Sequence, residues 1–381
     1  MNFDFDKVFD RRRTDSLKWD KYKSRDVIPM WVADMDFPSP ALILEALHKR
    51  VDHGIFGYTV PPDELVQTVV TRIWEKYQWK IKPSWIIWLP GVVPALHLAC
   101  LAFGNDGDEV LTFTPTYPPF LSAPSLCRRQ LKSIPLLRQV NRFTMDVERF
   151  KNAITPRSKV LLLCNPHNPV GRRYDRQELS DIARNCVTHN IVICSDEIHC
   201  DLILDGQKHI PTATLSPEIS ARTITLMAPS KTFNTPGLNC AFAIIENKDL
   251  RTKFRHSRKG IVPGVNALGF SACLAAYRDC EPWRKALIDY LRSNKDIVYK
   301  VINEEIPGLS MDDVQATYLA WINVTKLGLS DPVRFFENAG VGLSDGREYG
   351  GEGYVRLNFG CPKKTLTEAL ERMSSAVKAK G

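Results

Sequence analysis

The 381-residue chain has no uninterrupted apolar run of the length that a membrane-spanning helix requires. Its first residues, Met1-Asn2-Phe3-Asp4-Phe5-Asp6, are acidic and carry no apolar signal segment, so a cytoplasmic protein is expected. The ten cysteines contain no Cys-x-x-Cys pair, and several, such as Cys164 and Cys194, sit inside apolar runs. That pattern argues against a zinc site and a disulfide scaffold, and fits small core residues in a reducing compartment; no metal is expected. There is no internal repeat and no low-complexity linker. Acidic residues are in slight deficit, 43 against 51 Lys and Arg, for a net charge of +8. The basic residues are interleaved with acids, and the densest clusters, Arg11-Arg12-Arg13 and Arg255-His256-Ser257-Arg258-Lys259, are short. They read as solvated faces rather than a nucleic-acid surface.

What the chain does have is a large apolar fraction, 44%, enough for one big domain and a smaller one. Strand-like and helix-like segments alternate. Helical patterns cover about 40–53, 63–79, 93–103, 117–127 and 175–190. Apolar strand-like runs cover 85–88, 109–113, 131–137, 159–164, 191–195, 223–227 and 240–245. This alternation predicts an α/β fold with a largely parallel sheet covered on both faces. Beyond about Val265 the texture changes to long helices (266–277, 281–303), then a strand at 317–324. A helix opens at Asp331-Pro332, a strand covers 354–358, and a last helix starts at Lys364. The expected division is an N-terminal arm over 1–45, a large domain over 46–275 and a small α+β domain over 276–381.

In parallel sheets ligands bind beyond the carboxyl ends of the strands. Four features stand there. Thr223–Met227 runs into Ala228-Pro229-Ser230-Lys231-Thr232-Phe233-Asn234. A lysine in such a turn can be desolvated, which makes its free amine accessible near neutral pH. Ile191–Ser195 runs into Asp196-Glu197-Ile198-His199, and a buried acid needs a positive partner. Leu161–Cys164 runs into Asn165-Pro166-His167-Asn168-Pro169-Val170-Gly171. The run at 85–88 ends in Leu89-Pro90-Gly91-Val92-Val93 and opens a helix, whose free N–H groups suit a phosphate. A phosphate cradle, a buried carboxylate, an asparagine and a reactive lysine are what pyridoxal phosphate requires.

Asn-Pro-His-Asn-Pro-Val-Gly, Asp-Glu-Ile-His and Ser-Lys-Thr-Phe-Asn resemble the fold-type I, aspartate aminotransferase-like enzymes. Ile28-Pro29-Met30-Trp31-Val32-Ala33-Asp34-Met35-Asp36-Phe37 and Tyr354-Val355-Arg356-Leu357-Asn358-Phe359-Gly360 resemble the MalY/PatB branch of cystathionine β-lyases, or C–S lyases. The likeness runs from about residue 3 to the C-terminus. It implies a three-layer α/β/α large domain with pyridoxal 5′-phosphate as cofactor and Lys231 as the Schiff-base lysine and Cα base. Asp196 then pairs with the ring nitrogen, Asn168 approaches the phenolic oxygen and the substrate, and Tyr117 stacks on the ring. Val92 and Val93 give backbone donors to the phosphate, with Ser230 nearby, and Tyr58 reaches the phosphate of a neighbouring subunit, implying a homodimer with a shared site. Arg356 binds the substrate carboxylate. His199 stands where many relatives have a tyrosine, either contacting the cofactor or as a core histidine.

Three positions depart from the wider pattern. Ala228 replaces a hydroxyl residue three before the lysine, Asn239 replaces an arginine eight after it, and Arg347 lies in Ser344-Asp345-Gly346-Arg347-Glu348-Tyr349-Gly350. Arg347 is expected either to bias the pocket toward a substrate with a second anionic or polar end, or to be solvent-exposed. The implied reaction is β-elimination from an L-cysteine S-conjugate such as cystathionine, an amino-acid substrate, giving thiol, pyruvate and ammonia. An aminotransferase on the same scaffold is the alternative, and a regulatory or binding protein on that fold the second.

Overall fold

The computed structural model describes residues 3–380; Met1 and Asn2, the start of the expected arm, and Gly381 lie outside the described residues. Seven strands form the central sheet: β1 (Ile86–Leu89), β2 (Glu109–Thr114), β3 (Gln130–Pro135), β4 (Ser158–Cys164), β5 (Val192–Asp196), β6 (Thr223–Met227) and β7 (Ala241–Ile244). Their spatial order is β1-β7-β6-β5-β4-β2-β3. All pairings are parallel except those of β7 with β1 and β6. Apart from the half-buried Lys159 in β4, the central strands β4, β5 and β6 are buried, so they read as continuous apolar runs rather than alternating ones. Helices pack on both faces. The helix Arg176–Thr188 opens with a capping box between Asp175 and Glu178.

Two expectations shift in detail. The run 131–137 does not continue as one strand: β3 ends at Pro135, and Leu137–Gln139 leaves the sheet to pair with Arg142–Thr144. The basic cluster at 255–259 closes a helix, Lys248–Arg258, which buries Leu250 and Phe254; Arg255, His256 and Lys259 are exposed, while the half-buried Arg258 donates to the Trp88 carbonyl at 2.8 Å.

A second sheet has four strands: β8 (Ser310–Met311), β9 (Leu319–Asn323), β10 (Ser344–Asp345) and β11 (Tyr354–Asn358), in the order β8-β9-β11-β10. The C-terminal helix Lys363–Lys380 buries Leu366, Leu370 and Met373 against this half of the molecule. The N-terminal segment joins it through the parallel pair Ile28–Pro29 with Val341–Gly342. Among the described residues no helix is long and apolar enough to cross a membrane.

Candidate active site

The parallel strands deliver their carboxyl ends to one edge of the seven-stranded sheet, and the antiparallel β7 starts there. A cavity of about 300 Å³ opens at that edge. Its walls include Val92, Val93, Tyr117, Asn168, Asp196, His199, Ser230 and Lys231. Every cofactor residue expected from the sequence except Tyr58 is therefore brought to one place.

Lys231 lies four residues beyond β6, and its amine donates a 2.7 Å hydrogen bond to the carbonyl of Ala33. Burial pushes that amine down to about 8, reinforced by the nearby Arg356 guanidinium and opposed by Asp34 and Asp196. Asp196 ends β5. Burial raises its carboxyl to about 7, against the pull of the Ile198 N–H and Lys231, with the Glu197 charge adding to the rise. One carboxyl oxygen accepts from Ile198 N at 3.0 Å. Glu197 points to the opposite side and is absorbed by Ser195, Thr212 N and His209.

The helix Val92–Ala102 begins at the cavity wall, and no side chain caps its first turn. Its first N–H groups have no partner within the helix, so they are open to an anion. Among the described residues Lys231 is the sole Lys or Arg in the wall, with Ala228 and Asn239 both part of it. His199 is buried, its Nδ1 has no hydrogen-bond partner, and burial lowers it to about 3. A neutral imidazole with an orphaned nitrogen at a cavity wall is unexplained by the protein alone.

Arg356, on β11, does not line the cavity but reaches its edge, donating to Asn168 Oδ1 at 3.1 Å. Asn168 is held in turn by its loop. His167 Nε2 lies 2.7 Å from the Pro115 carbonyl and Nδ1 meets the Tyr174 hydroxyl at 3.0 Å, tying the Asn168 loop to the Tyr117 loop.

Two residues are not brought in. Tyr58 is fully exposed on a segment with Ile55, Phe56 and Val60, away from this cavity. Of its two expected positions, facing the substrate or facing solvent, Arg347 takes the second. Its guanidinium is held by Asp345 at 2.6–3.0 Å, it is 54% exposed, and it lines a separate cleft with Lys21 and Glu337. A carboxylate two residues away neutralises it and turns it from the site.

Sequence reasoning assigned no role to the segment 31–37, which the structure makes a joint. Asn234, three residues past the lysine, accepts from Met35 N–H and donates to the carbonyls of Met35 and Phe37. Asn358, two past the arginine, donates to the carbonyls of Val32 and Asp34. Tyr318 hydroxyl shares the Ala33 carbonyl with Lys231. The fully buried Lys18 meets Asp36 at 2.8 Å, and Arg11 holds both Asp34 and Asp36. Within that segment only Asp34 and Asp36 could have signalled this, and the asparagines that grip it, Asn234 and Asn358, are remote in sequence.

A model of the family described as aminotransferase class I and II matches residues 25–373. The chain is 40% identical to cystathionine beta-lyase PatB of Bacillus subtilis, covering 98% of this chain and 99% of that one. The chain belongs to the class I and II aminotransferase family, in the branch that contains PatB. Solved structures of this aminotransferase-like fold superpose closely. The crystal structure of OvoB matches at 45% identity with a TM-score of 0.96, covering 99% of this chain and all of that one. Cystalysin from Treponema denticola, whose structure contains a pyridoxal 5′-phosphate cofactor, matches at 34% identity and a TM-score of 0.96, with both chains fully covered. Among the described residues no His, Cys, Asp and Glu group could hold a metal ion.

Proposed function

We propose that the protein is a pyridoxal 5′-phosphate-dependent carbon–sulfur β-lyase. It cleaves L-cystathionine or related L-cysteine S-conjugates to a thiol, pyruvate and ammonia. The observation that carries this reading is a lysine amine depressed to about 8 in one cavity with a buried aspartate and an uncapped helix start. That set fits the cofactor: the open N–H groups of Val92 and Val93 with Ser230 suit its phosphate, Asp196 its ring nitrogen, and the orphaned His199 nitrogen or Asn168 its ring oxygen. When bound, the cofactor supplies an electron sink for the pair of electrons left at Cα.

The chain's own residues do the rest. Lys231 would hold the cofactor and would take the Cα proton at its amine; an amine near 8 is well matched to that exchange at neutral pH. Asp196 would set its carboxyl against the ring nitrogen, whose positive charge would favour the carboxylate form, and Tyr117 would cover the ring face. Arg356 takes the substrate carboxylate with its planar fork while Asn168 orients it. Because Asn239 and Ala228 stand in the wall and no arginine does, neutral donors hold the phosphate within one chain. Tyr58 completes that hold from a second subunit. The exposed Ile55, Phe56, Tyr58 and Val60 form an apolar strip that a homodimer would cover. The ten cysteines, all free, suit a cytoplasmic enzyme.

Purified protein with pyridoxal phosphate is expected to show the visible band of a lysine-bound cofactor, removed by Lys231→Ala. It is also expected to release thiol, pyruvate and ammonia from cystathionine without an added keto acid. A strict requirement for a keto acid would convert the reading to an aminotransferase, and absence of the band would sink it.

A further inference from the structure

Four arginines are buried among the described residues: Arg72, Arg129, Arg172 and Arg356. Arg72 is compensated by Asp201 and Glu281, Arg129 by Asp106, and Arg172 by Glu178. Arg356 has no carboxylate. Its Nη1 donates to Asn168 Oδ1, its Nη2 to the Trp31 carbonyl at 2.6 Å and to Ser344 Oγ at 3.3 Å, and its buried Nε has no partner. An uncompensated buried guanidinium is costly unless something else holds it.

What lies on its face is an aromatic ring. The guanidinium carbon of Arg356 sits 4.7 Å from the ring centroid of Tyr349. Tyr349 is itself buried and packs edge-on against Trp321 at 5.7 Å; Trp321 stacks on Tyr354 at 5.2 Å with the planes 5° apart. Trp321 is also the cross-strand neighbour of Arg356. The ring is pinned by its turn. The Tyr349 carbonyl accepts the Thr116 N–H, Gly350 closes the turn at a φ of 75°, and a Cβ at Gly351 would lie 2.4 Å from Trp321. A carboxylate partner would hold the arginine as firmly but cancel its charge. An aromatic face and neutral oxygens hold it without doing so, and they leave its buried Nε without a partner of its own.

We propose that Tyr349 is a positioning residue of the substrate site, whose ring holds the Arg356 guanidinium flat and uncompensated so that its charge is kept for the substrate carboxylate. This rests on the assignment of Arg356 to that carboxylate. The phenol hydroxyl is not needed for it, only the ring face.

The test uses the holoenzyme and two probes read by the change in cofactor absorbance on binding. One is 2-aminoisobutyrate, which has no Cα proton and cannot react further; the other is its amide, which lacks the carboxylate. Tyr349→Leu is expected to weaken the acid about tenfold and leave the amide unchanged, while Tyr349→Phe stays within about twofold for both. Equal weakening of both probes, or Phe as damaging as Leu, overturns the proposal. If the leucine variant does not fold, phenylalanines bearing one to three ring fluorines at 349 preserve shape while draining the ring face. A stepwise loss of acid affinity supports the shelf and a flat series overturns it. An Arg356→Leu enzyme that still prefers the acid to its amide would show that the carboxylate assignment, rather than the shelf, is wrong.

Discussion

The two halves of the site are built differently. The seven-stranded sheet contributes Lys231, Asp196, Asn168 and the helix start at Val92, each within a few residues of a strand end. Their chemistry comes from burial: one amine falls to about 8 and one carboxyl rises to about 7. The four-stranded sheet contributes Arg356 from within a strand, and it is held by residues at 31, 168, 344 and 349. The first half stores strained ionisation states. The second half stores geometry, with its charge kept free by neutral neighbours.

Removing a charge on the first side should therefore cost rate, and on the second side affinity or stability. The largest effect is expected for Asp196→Asn: turnover falls about a thousandfold with KM little changed, checked by steady-state kinetics on a cysteine S-conjugate. A KM effect of equal size would place Asp196 on the orienting side. Next, Lys18→Met breaks the buried contact to Asp36 beneath the 31–37 joint, and about 3 kcal/mol of stability should go, read by denaturant unfolding. Stability unchanged would mean that Arg11 and Trp19 hold Asp36 alone.

Lys231→Met should act in the opposite sense on the cofactor-free protein. The lysine's folded value, about 8, lies below its ordinary value of 10.5, so the native state is penalised for carrying the ammonium. The stabilising effect of the wild-type lysine is present above about 10.5 and lost as pH falls through 8. The methionine variant should therefore melt a few degrees higher at pH 7, with the gain shrinking through pH 8 to 10.5 and absent above. A gain independent of pH would mean that packing, and not the charge, is the cause. The smallest effect belongs to Arg347→Ala. Because Asp345 already holds the guanidinium at the surface, the relative turnover of neutral and acidic cysteine conjugates should not change. A selective loss on acidic conjugates would restore Arg347 to the substrate side.

The first half of the site was legible in the sequence because its parts are local. A buried parallel strand is a continuous apolar run, and the next polar residue stands at the ligand-binding edge, so Lys231 and Asp196 announce themselves. Arg347 was left between the substrate side and solvent because a turn decides whether a residue faces a pocket or its neighbour, and Asp345 holds it on the solvent side here. The joint at 31–37 was visible as a likeness but silent about purpose, since Lys18, Asn234 and Asn358 meet it across up to 326 residues of chain. The break after Pro135 escaped because an apolar run does not state which sheet it joins.

The sequence by itself determined the alternation of strands and helices and the edge where chemistry gathers, both of which follow from short-range hydrophobic patterning, while the cofactor roles of the residues there were implied by the family likeness. The tertiary structure alone decided which arginine keeps its charge. Arg356 and Arg347 are the same residue type nine positions apart, and what separates them is the neighbour across the space: an aromatic ring for one and a carboxylate for the other. Electrostatic free energy depends on distance and burial rather than on sequence order, so only the folded chain could assign it.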